Sequence, residues 1–386
     1  MRKVAVIGIG ATKIDEQWDK SVRELAGDAV LAAMTEAGLD HLDGLYAGNM
    51  MSSAANQQQH LGTYIADWVG ERGAEAIRLE SACSSGSAAF RTGLMAVASG
   101  EIDIAAVVGV EKMTDSPGDE ITASLATAAD ADWEVSQGIS FVALNALIMQ
   151  RYMHEYGWQH GDFANFSINA HQNAMNNPNA RFHMPITAEK YEAAGMICEP
   201  INLLDASPIG DGAAAAILVP AEKLSGSMAF PLILVAGSGA ASDHIAIHSR
   251  KDPLWLSAAE KSCRAAYNQA GISPKEIDFF EYHDAFTIMA ALSLEACGFV
   301  DRGQGPRPAL ENEIGLKGRI PTATLGGLKA RGHPVGATGM YQIVEAVQQL
   351  RGQAGASQVE GARYGMTQNI GGSGSNIITH ILTNVN

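Results

Sequence analysis

The sequence predicts an α/β protein of two similar halves, on three observations. Strand-like apolar runs alternate with helical ones, the pattern of mainly buried sheets covered by helices. The order of those runs repeats in the second half of the chain. Between the halves the texture changes, and that stretch reads as an inserted, mainly helical lid, a place where binding residues often sit.

The first strand is read over residues 4–7, in Val4-Ala5-Val6-Ile7-Gly8-Ile9-Gly10, an apolar run too short for a signal peptide. A helix over 22–37 follows and stops at Ala37-Gly38, with a strand near Leu45 and another over 76–79. A helix over 84–98 and a strand over 104–110 come next, and a strand over 214–219 follows the insertion. The second half repeats the order: strand 232–236, helix 254–270 stopping at Ala270-Gly271, strand 277–282. A helix over 286–296 comes next. The turn at His333-Pro334, the helix over 339–350 and a strand near Ala362 then mirror the turn at Cys83, its helix and the strand at Ile104. Strands over 362–368 and 377–382 close the chain. These bounds place the first half at 1–120, completed by 201–225, the insertion at 121–200 and the second half at 226–386. The insertion carries Asp130-Ala131-Asp132-Trp133, aromatic residues over 152–158 and an asparagine-rich run over 165–179, with no obvious strand ladder.

A chain of 386 residues that is 47% hydrophobic and 18% charged has ample core for a folded protein. Its net charge of −16 argues against a nucleic-acid surface, and an anionic ligand therefore needs a local basic site. No stretch reaches the roughly 18 apolar residues of a membrane span. Cys83, Cys198, Cys263 and Cys297 are scattered, with no C-x-x-C pair, so reduced thiols in a cytoplasmic protein are expected. The 41 glycines point to tight turns and to backbone passing close to a ligand.

Four segments carry candidate chemistry. Cys83, in Glu80-Ser81-Ala82-Cys83-Ser84-Ser85-Gly86-Ser87-Ala88-Ala89, sits where a strand breaks into small residues before a helix. Unpaired N–H groups and the helix dipole there favour thiolate over thiol, which makes Cys83 a candidate nucleophile, although a lone buried cysteine is more often core filler. His333 lies in Gly332-His333-Pro334-Val335-Gly336-Ala337-Thr338-Gly339, where glycines allow unusual dihedrals and Pro334 stiffens the next residue. His283 and Asp284 stand at a strand's carboxyl end, where open α/β sheets bind ligands, although Asp284 as a helix cap explains the same spacing. Asn369-Ile370-Gly371-Gly372-Ser373-Gly374-Ser375 follows a strand, and its N–H groups suit either an oxyanion site or a plain hairpin. Gly8-Ile9-Gly10 is set aside as a dinucleotide fingerprint, because Lys13 occupies the third glycine position.

Together these segments resemble the thiolase family, and the resemblance spans essentially the whole chain. The four motifs stand in the family's order, and Asp205-Ala206-Ser207-Pro208-Ile209-Gly210-Asp211-Gly212-Ala213-Ala214 is similar to the stretch that closes the family's first half. His283 opening the third motif and Gly327-Leu328-Lys329-Ala330-Arg331 before the fourth look most like archaeal-type acetyl-CoA acetyltransferases. The resemblance implies a five-layered αβαβα thiolase fold. It also implies a reaction in which Cys83 attacks an acyl-CoA thioester while His333 takes the thiol proton. The N–H groups of Cys83 and Gly371 would form one oxyanion hole, and His333 with the group at His283 the other. A second acetyl-CoA would then yield acetoacetyl-CoA, or thiolysis would run the reverse. CoA thioesters are thus expected as substrates, with no permanently bound cofactor and no metal. Ser207 matches a position that contacts the pantetheine arm, and Arg181, Arg250 and Lys251 are candidate phosphate partners. A homodimer or homotetramer is implied, as is a complex with HMG-CoA synthase and a small bridging protein.

The chain departs from the better-known thiolases at Asn369, where their final loop opens with a second cysteine that removes the methyl proton. An amide cannot act as that base. His283 replaces an asparagine common in the third motif, so the base role is assigned to His283. A Cys83, His283, His333 set also resembles the decarboxylating ketoacyl synthases. That reaction, a longer-chain 3-ketoacyl-CoA thiolase and a non-catalytic acyl-CoA-binding subunit are the alternatives.

Overall fold

The computed structural model describes residues 2–224 and 230–385; the expected boundary at 225/226 falls outside them. Eleven strands are described: β1 (Val4–Ala11), β2 (Gly44–Gly48), β3 (Glu75–Leu79), β4 (Ala105–Glu111), β5 (Met196–Cys198), β6 (Ile201–Asn202), β7 (Gly212–Pro220), β8 (Leu232–Ser242), β9 (Phe279–Glu281), β10 (Tyr364–Gly371) and β11 (Asn376–Val385). Nine of them form one sheet in the order β3-β2-β4-β7-β1-β8-β11-β10-β9. Its middle seam is slight, since β1 and β8 pair only through Ala5 with Leu234 and Val6 with Ile233. The sheet is therefore two half-sheets joined at their edges.

Helices complete five layers. Val22–Ala37 and Leu61–Trp68 cover the outer face of the first half-sheet, and Ser257–Ala270 covers β8 and β11. Ser85–Ser99 and Thr338–Leu350 pack against one another and touch strands of both halves, forming the central layer. Twelve of the thirteen residues of Thr338–Leu350 are buried, so this helix has no solvent face.

The repeated order in the sequence has a packing cause. A Cβ on Gly8 would lie 2.1 Å from Ala33 O, and one on Gly10 would lie 2.2 Å from Ala29 O. In the second half the same clashes arise at Gly237 with Ala266 O (2.2 Å) and Gly239 with Ser262 O (2.0 Å). Each pair lets an outer helix lie directly on a bare strand, and each helix ends in a left-handed glycine, Gly38 (φ 68°) and Gly271 (φ 70°). Gly8 and Gly10 thus seat a helix, which explains a fingerprint that lacks its third glycine. We expect Gly10→Ala and Gly239→Ala each to lower unfolding free energy by about 1–3 kcal/mol, the range for overpacked cores. Chemical denaturation measures it, and a neutral result in either half would contradict this packing.

The segment between β4 and β7, a little wider than the expected insertion, contains the helices Gly118–Ala126, Phe141–Tyr156, Ala164–Ala174 and Ala188–Glu192, and, against expectation, the small antiparallel ribbon β5–β6. Met149, Tyr152, Phe163 and Phe166 share a core with Ile288, Leu292 and Met366 of the second half. That shared core fixes the segment beside the site. Asn369, expected in a loop, is instead the sixth residue of β10, because the β10–β11 ladder runs through to Gly371 and Asn376. The hairpin reading of those glycines holds for this stretch.

Candidate active site

Beyond β3 the chain turns sharply, and Ala82 adopts φ 49°, a strained value for a residue with a side chain. Three serines hold the turn. Ser84 Oγ donates to Ser81 O (2.7 Å), Ser85 Oγ donates to Ala82 O (2.6 Å), and Ser81 N donates to Ser85 Oγ (2.9 Å). Cys83 is placed by this turn at the start of Ser85–Ser99, only 3% exposed.

The two central helices meet at glycines. A Cβ on Gly86 would lie 2.8 Å from Gly336 O, and one on Gly339 would lie 2.5 Å from Ser87 N. Backbone contact at this crossing brings the helix starts together, and with them the residues just before each. Cys83, His283 and His333 therefore offer ligand atoms that all lie within 4.8 Å of one another. The two imidazoles meet edge-on, with ring centroids 5.1 Å apart.

Each ring has one nitrogen held. His333 Nδ1 lies 2.7 Å from Thr338 Oγ1, whose own hydrogen is directed at Pro334 O (3.5 Å). Nδ1 then carries the ring hydrogen and Nε2 is free to accept one. His283 Nδ1 lies 2.9 Å from Asn369 Nδ2. In this orientation the amide donates, and His283 Nε2 carries the hydrogen. Asn369 Oδ1 has no hydrogen-bond partner and, like the unpartnered Ser87 Oγ, packs closely against Gly339. Turning the amide over exchanges its oxygen and nitrogen within the same space.

Electrostatics around the cluster favour neutral groups. Burial pushes the Cys83 thiol up to about 12, helped by the nearby Glu111 carboxylate, and the N–H groups of Cys83 and Gly372 offset this only in part. The expected thiolate is not the resting form: desolvation outweighs the helix dipole. Burial and the neighbouring Arg331 push His333 down to about 3, and burial with His333 and Arg331 holds His283 well below the usual imidazole range. The resting pair is thiol and neutral imidazole. Alkylation of Cys83 by iodoacetamide should therefore keep rising through pH 10, whereas an ordinary thiol, half ionised near pH 8.5, levels off above about pH 9.5. A plateau at or below pH 8 would reveal an ion pair instead.

Sequence reasoning missed Glu111. Its Oε1 accepts from Asn49 Nδ2 (2.8 Å) and Met51 N (2.9 Å), and its Oε2 accepts from Met50 N and Gly336 N (both 2.9 Å). This carboxylate, pushed up to about 7 by burial, ties the His333 turn to the loop after β2. An acidic residue ending a wholly apolar strand was the available signal. Thr338 and Gly372 were also missed, although both lie in quoted motifs.

Cys83 and His333 open onto a cavity of about 310 Å³, lined also by Leu125, Phe141, Ser207 and Phe286. A second cavity of about 260 Å³ adjoins it across Ala206-Ser207-Pro208, reaching Phe182, Met184 and Lys329. A wider surface hollow, about 680 Å³ beside Lys275 and Lys317, contains none of these groups. Ser207 is held between motifs: its N–H donates to Ala285 O (2.9 Å), and His333 N donates to Pro208 O (3.2 Å). Asp205 and Asp211 anchor the ends of this loop, Asp205 through His160 Nε2 (2.6 Å) and Asp211 through Lys112 Nζ (2.8 Å).

Four expected site residues stand elsewhere or act otherwise. Arg181 pairs with Glu16 (2.8 Å), which occupies its charge. Arg250 is buried and donates to Ser373 O (2.7 Å) and His244 O (3.1 Å), so it clamps the β10–β11 turn instead of meeting phosphate. Lys251 is exposed and lines neither of these cavities. The N–H at the Cys83 sulfur belongs to Gly372, while Gly371, expected to supply an oxyanion N–H, packs closely against Ser81 O and Ser84 Oγ.

Two family profiles match, "Thiolase, N-terminal domain" over residues 4–222 and "Thiolase C-terminal domain-like" over 239–384. The chain belongs to the thiolase family. This thiolase is 45% identical over 385 residues to an acetyl-CoA acetyltransferase of Methanothermobacter thermautotrophicus, covering 99% of this chain and 100% of that one. It is 38% identical to an acetyl-CoA acetyltransferase of Methanocaldococcus jannaschii, covering 99% of each. A solved structure titled "Ltp2-ChsH2(DUF35) aldolase" superposes with a TM-score of 0.85 at 26% identity, covering 99% of this chain and 98% of that one. Acyl transfer of the acetyl-CoA acetyltransferase kind is the activity of this thiolase.

Proposed function

We propose that this thiolase condenses two acetyl-CoA molecules into acetoacetyl-CoA and CoA through an acetyl group on Cys83, and runs the reverse thiolysis at the same site. The observation that carries the residue roles is the buried thiol with two imidazoles within 4.8 Å, opening onto an apolar cavity. Cys83 sulfur attacks the thioester carbon as its proton passes to His333 Nε2. Because thiol and imidazole both rest neutral, proton transfer accompanies attack instead of preceding it. The N–H groups of Cys83 and Gly372 receive the developing oxyanion. CoA leaves with the proton from His333. The pantetheine arm lies along Ser207 and the adjoining cavity, with no resident cofactor.

Condensation needs a base for the methyl proton of the second acetyl-CoA. With the Asn369 amide turned over, Oδ1 accepts the His283 Nδ1 hydrogen and Nε2 becomes that base. The resulting enolate displaces the Cys83 sulfur from the acetyl carbon, and the proton on His283 Nε2 returns to that sulfur. The same Cys-His-His set favours a second reading, a decarboxylating ketoacyl synthase. Acetyl-CoA supplied alone distinguishes them: we expect acetoacetyl-CoA to form without malonyl-CoA, and product only when malonyl-CoA is added would sink the thiolase assignment of the second step.

The protein is proposed to work in the cytoplasm as a homodimer or homotetramer. Strand β3 is a sheet edge, and Ile77 on it and Met95 on Ser85–Ser99 are exposed, which suits pairing with a second copy. A complex with HMG-CoA synthase and a small bridging protein is proposed on the family resemblance; the solved aldolase named with a DUF35 component supports only that such a fold can be found with a second protein. No helix among the described residues is long and apolar enough to cross a membrane.

A further inference from the structure

We infer that Cys83, His283 and His333 also form a binding site for Zn²⁺, and that the bound metal switches the enzyme off. The three ligand atoms lie within 4.8 Å of one another, all on buried side chains. Zinc bonds of about 2.3 Å to sulfur and about 2.0 Å to nitrogen set tetrahedral ligands roughly 3.3–3.6 Å apart, so closure takes shifts on the order of 1 Å shared among three side chains.

The surroundings suit a metal as well as the ligands do. A histidine that binds metal has its other ring nitrogen held by a neighbour. Thr338 Oγ1 holds His333 Nδ1 at 2.7 Å, and the Asn369 amide holds His283 Nδ1 at 2.9 Å. With both Nδ1 atoms engaged, Nε2 is the nitrogen each ring has left for a metal. For His283 this requires the amide orientation that places the unpartnered Asn369 Oδ1 on the ring hydrogen. The nearby Glu111 carboxylate adds negative charge to the region and offsets the Arg331 guanidinium that acts on both histidines. The fourth position opens into the cavity beside Phe141 and Phe286, which has room for water. A set of one thiolate and two imidazoles selects zinc over magnesium or calcium, which prefer oxygen.

Binding is a simple exchange. The zinc–sulfur bond forms as the thiol proton leaves to solvent, with no change of oxidation state. Once bound, the sulfur lone pair and both Nε2 atoms are occupied, so no acyl group can be accepted. The site needs these three side chains whatever acyl group the enzyme transfers.

Equilibrium dialysis of the metal-free full chain against ZnCl₂ tests the proposal. We expect one Zn²⁺ per chain, unaffected by excess Mg²⁺, with binding weakened at least about tenfold in Cys83→Ala and in His283→Ala. Co²⁺ should give a thiolate-to-metal absorption band that Cys83→Ser abolishes; this isosteric variant retains the turn if the alanine variant does not fold. Zinc-loaded protein should resist acetylation by acetyl-CoA until a chelator is added. Zinc uptake unchanged in both ligand variants, a cobalt band that survives in Cys83→Ser, or unhindered acetylation of the zinc-loaded chain would each overturn the site.

Discussion

Cys83→Ala should leave a folded protein that gains no acetyl mass after exposure to acetyl-CoA, with turnover reduced by about 10⁴-fold or more. Alanine removes one buried sulfur, while the serine hydrogen bonds that form the turn involve Ser81, Ala82, Ser84 and Ser85 and stay intact. Intact-mass measurement and an acetoacetyl-CoA assay read the two effects separately. Acetylation that persists at another residue with turnover intact would remove Cys83 from the chemistry. The half-buried Cys198 is then the thiol to inspect, since Cys263 and Cys297 are both buried.

His283→Ala should separate the two half-reactions. Acylation of Cys83 relies on His333, whose Nδ1 is fixed by Thr338, and should survive within a few-fold. Condensation should fall by about 10²–10⁴-fold, the usual contribution of a general base. The Asn369 amide sits 2.9 Å from the His283 ring, so a thiol introduced there lies near the lost base. Asn369→Cys placed in the His283→Ala background should recover part of the condensation rate. Equal loss in both half-reactions would show that His283 serves acylation too, and the base would then have to be sought elsewhere.

Much of the fold was legible in the sequence because apolar periodicity and terminators are local. The helix Val22–Ala37 has the bounds read from its pattern, fixed by the Ser21–Glu24 capping box and by Gly38. The bare strands at Gly8, Gly10, Gly237 and Gly239 produced a repeat visible as text. Burial and distant partners were not legible. Cys83 appeared to be an activated thiolate because its helix start is local, whereas the desolvation and the Glu111 charge that raise it belong to the fold. Arg250 appeared free for phosphate because the carbonyl it holds, Ser373 O, lies far along the chain. Asn369 was read as a loop from the glycines beyond it, although its own pairing with Ile378 keeps it in β10. The motif residues Cys83, His283 and His333 were singled out because each sits close to where a strand or helix begins or ends, a position that sequence marks well, whereas Ser207, in the loop before β7, came from the family resemblance alone.

The glycine crossing of the central helices makes cohesion and catalysis one property. With backbone against backbone at Gly86 and Gly339, no flexible side chain can take up slack, so any parting of the halves separates sulfur from imidazole by a similar amount. Mild denaturant should silence the enzyme at the concentration where the halves begin to breathe, ahead of any loss of helix signal.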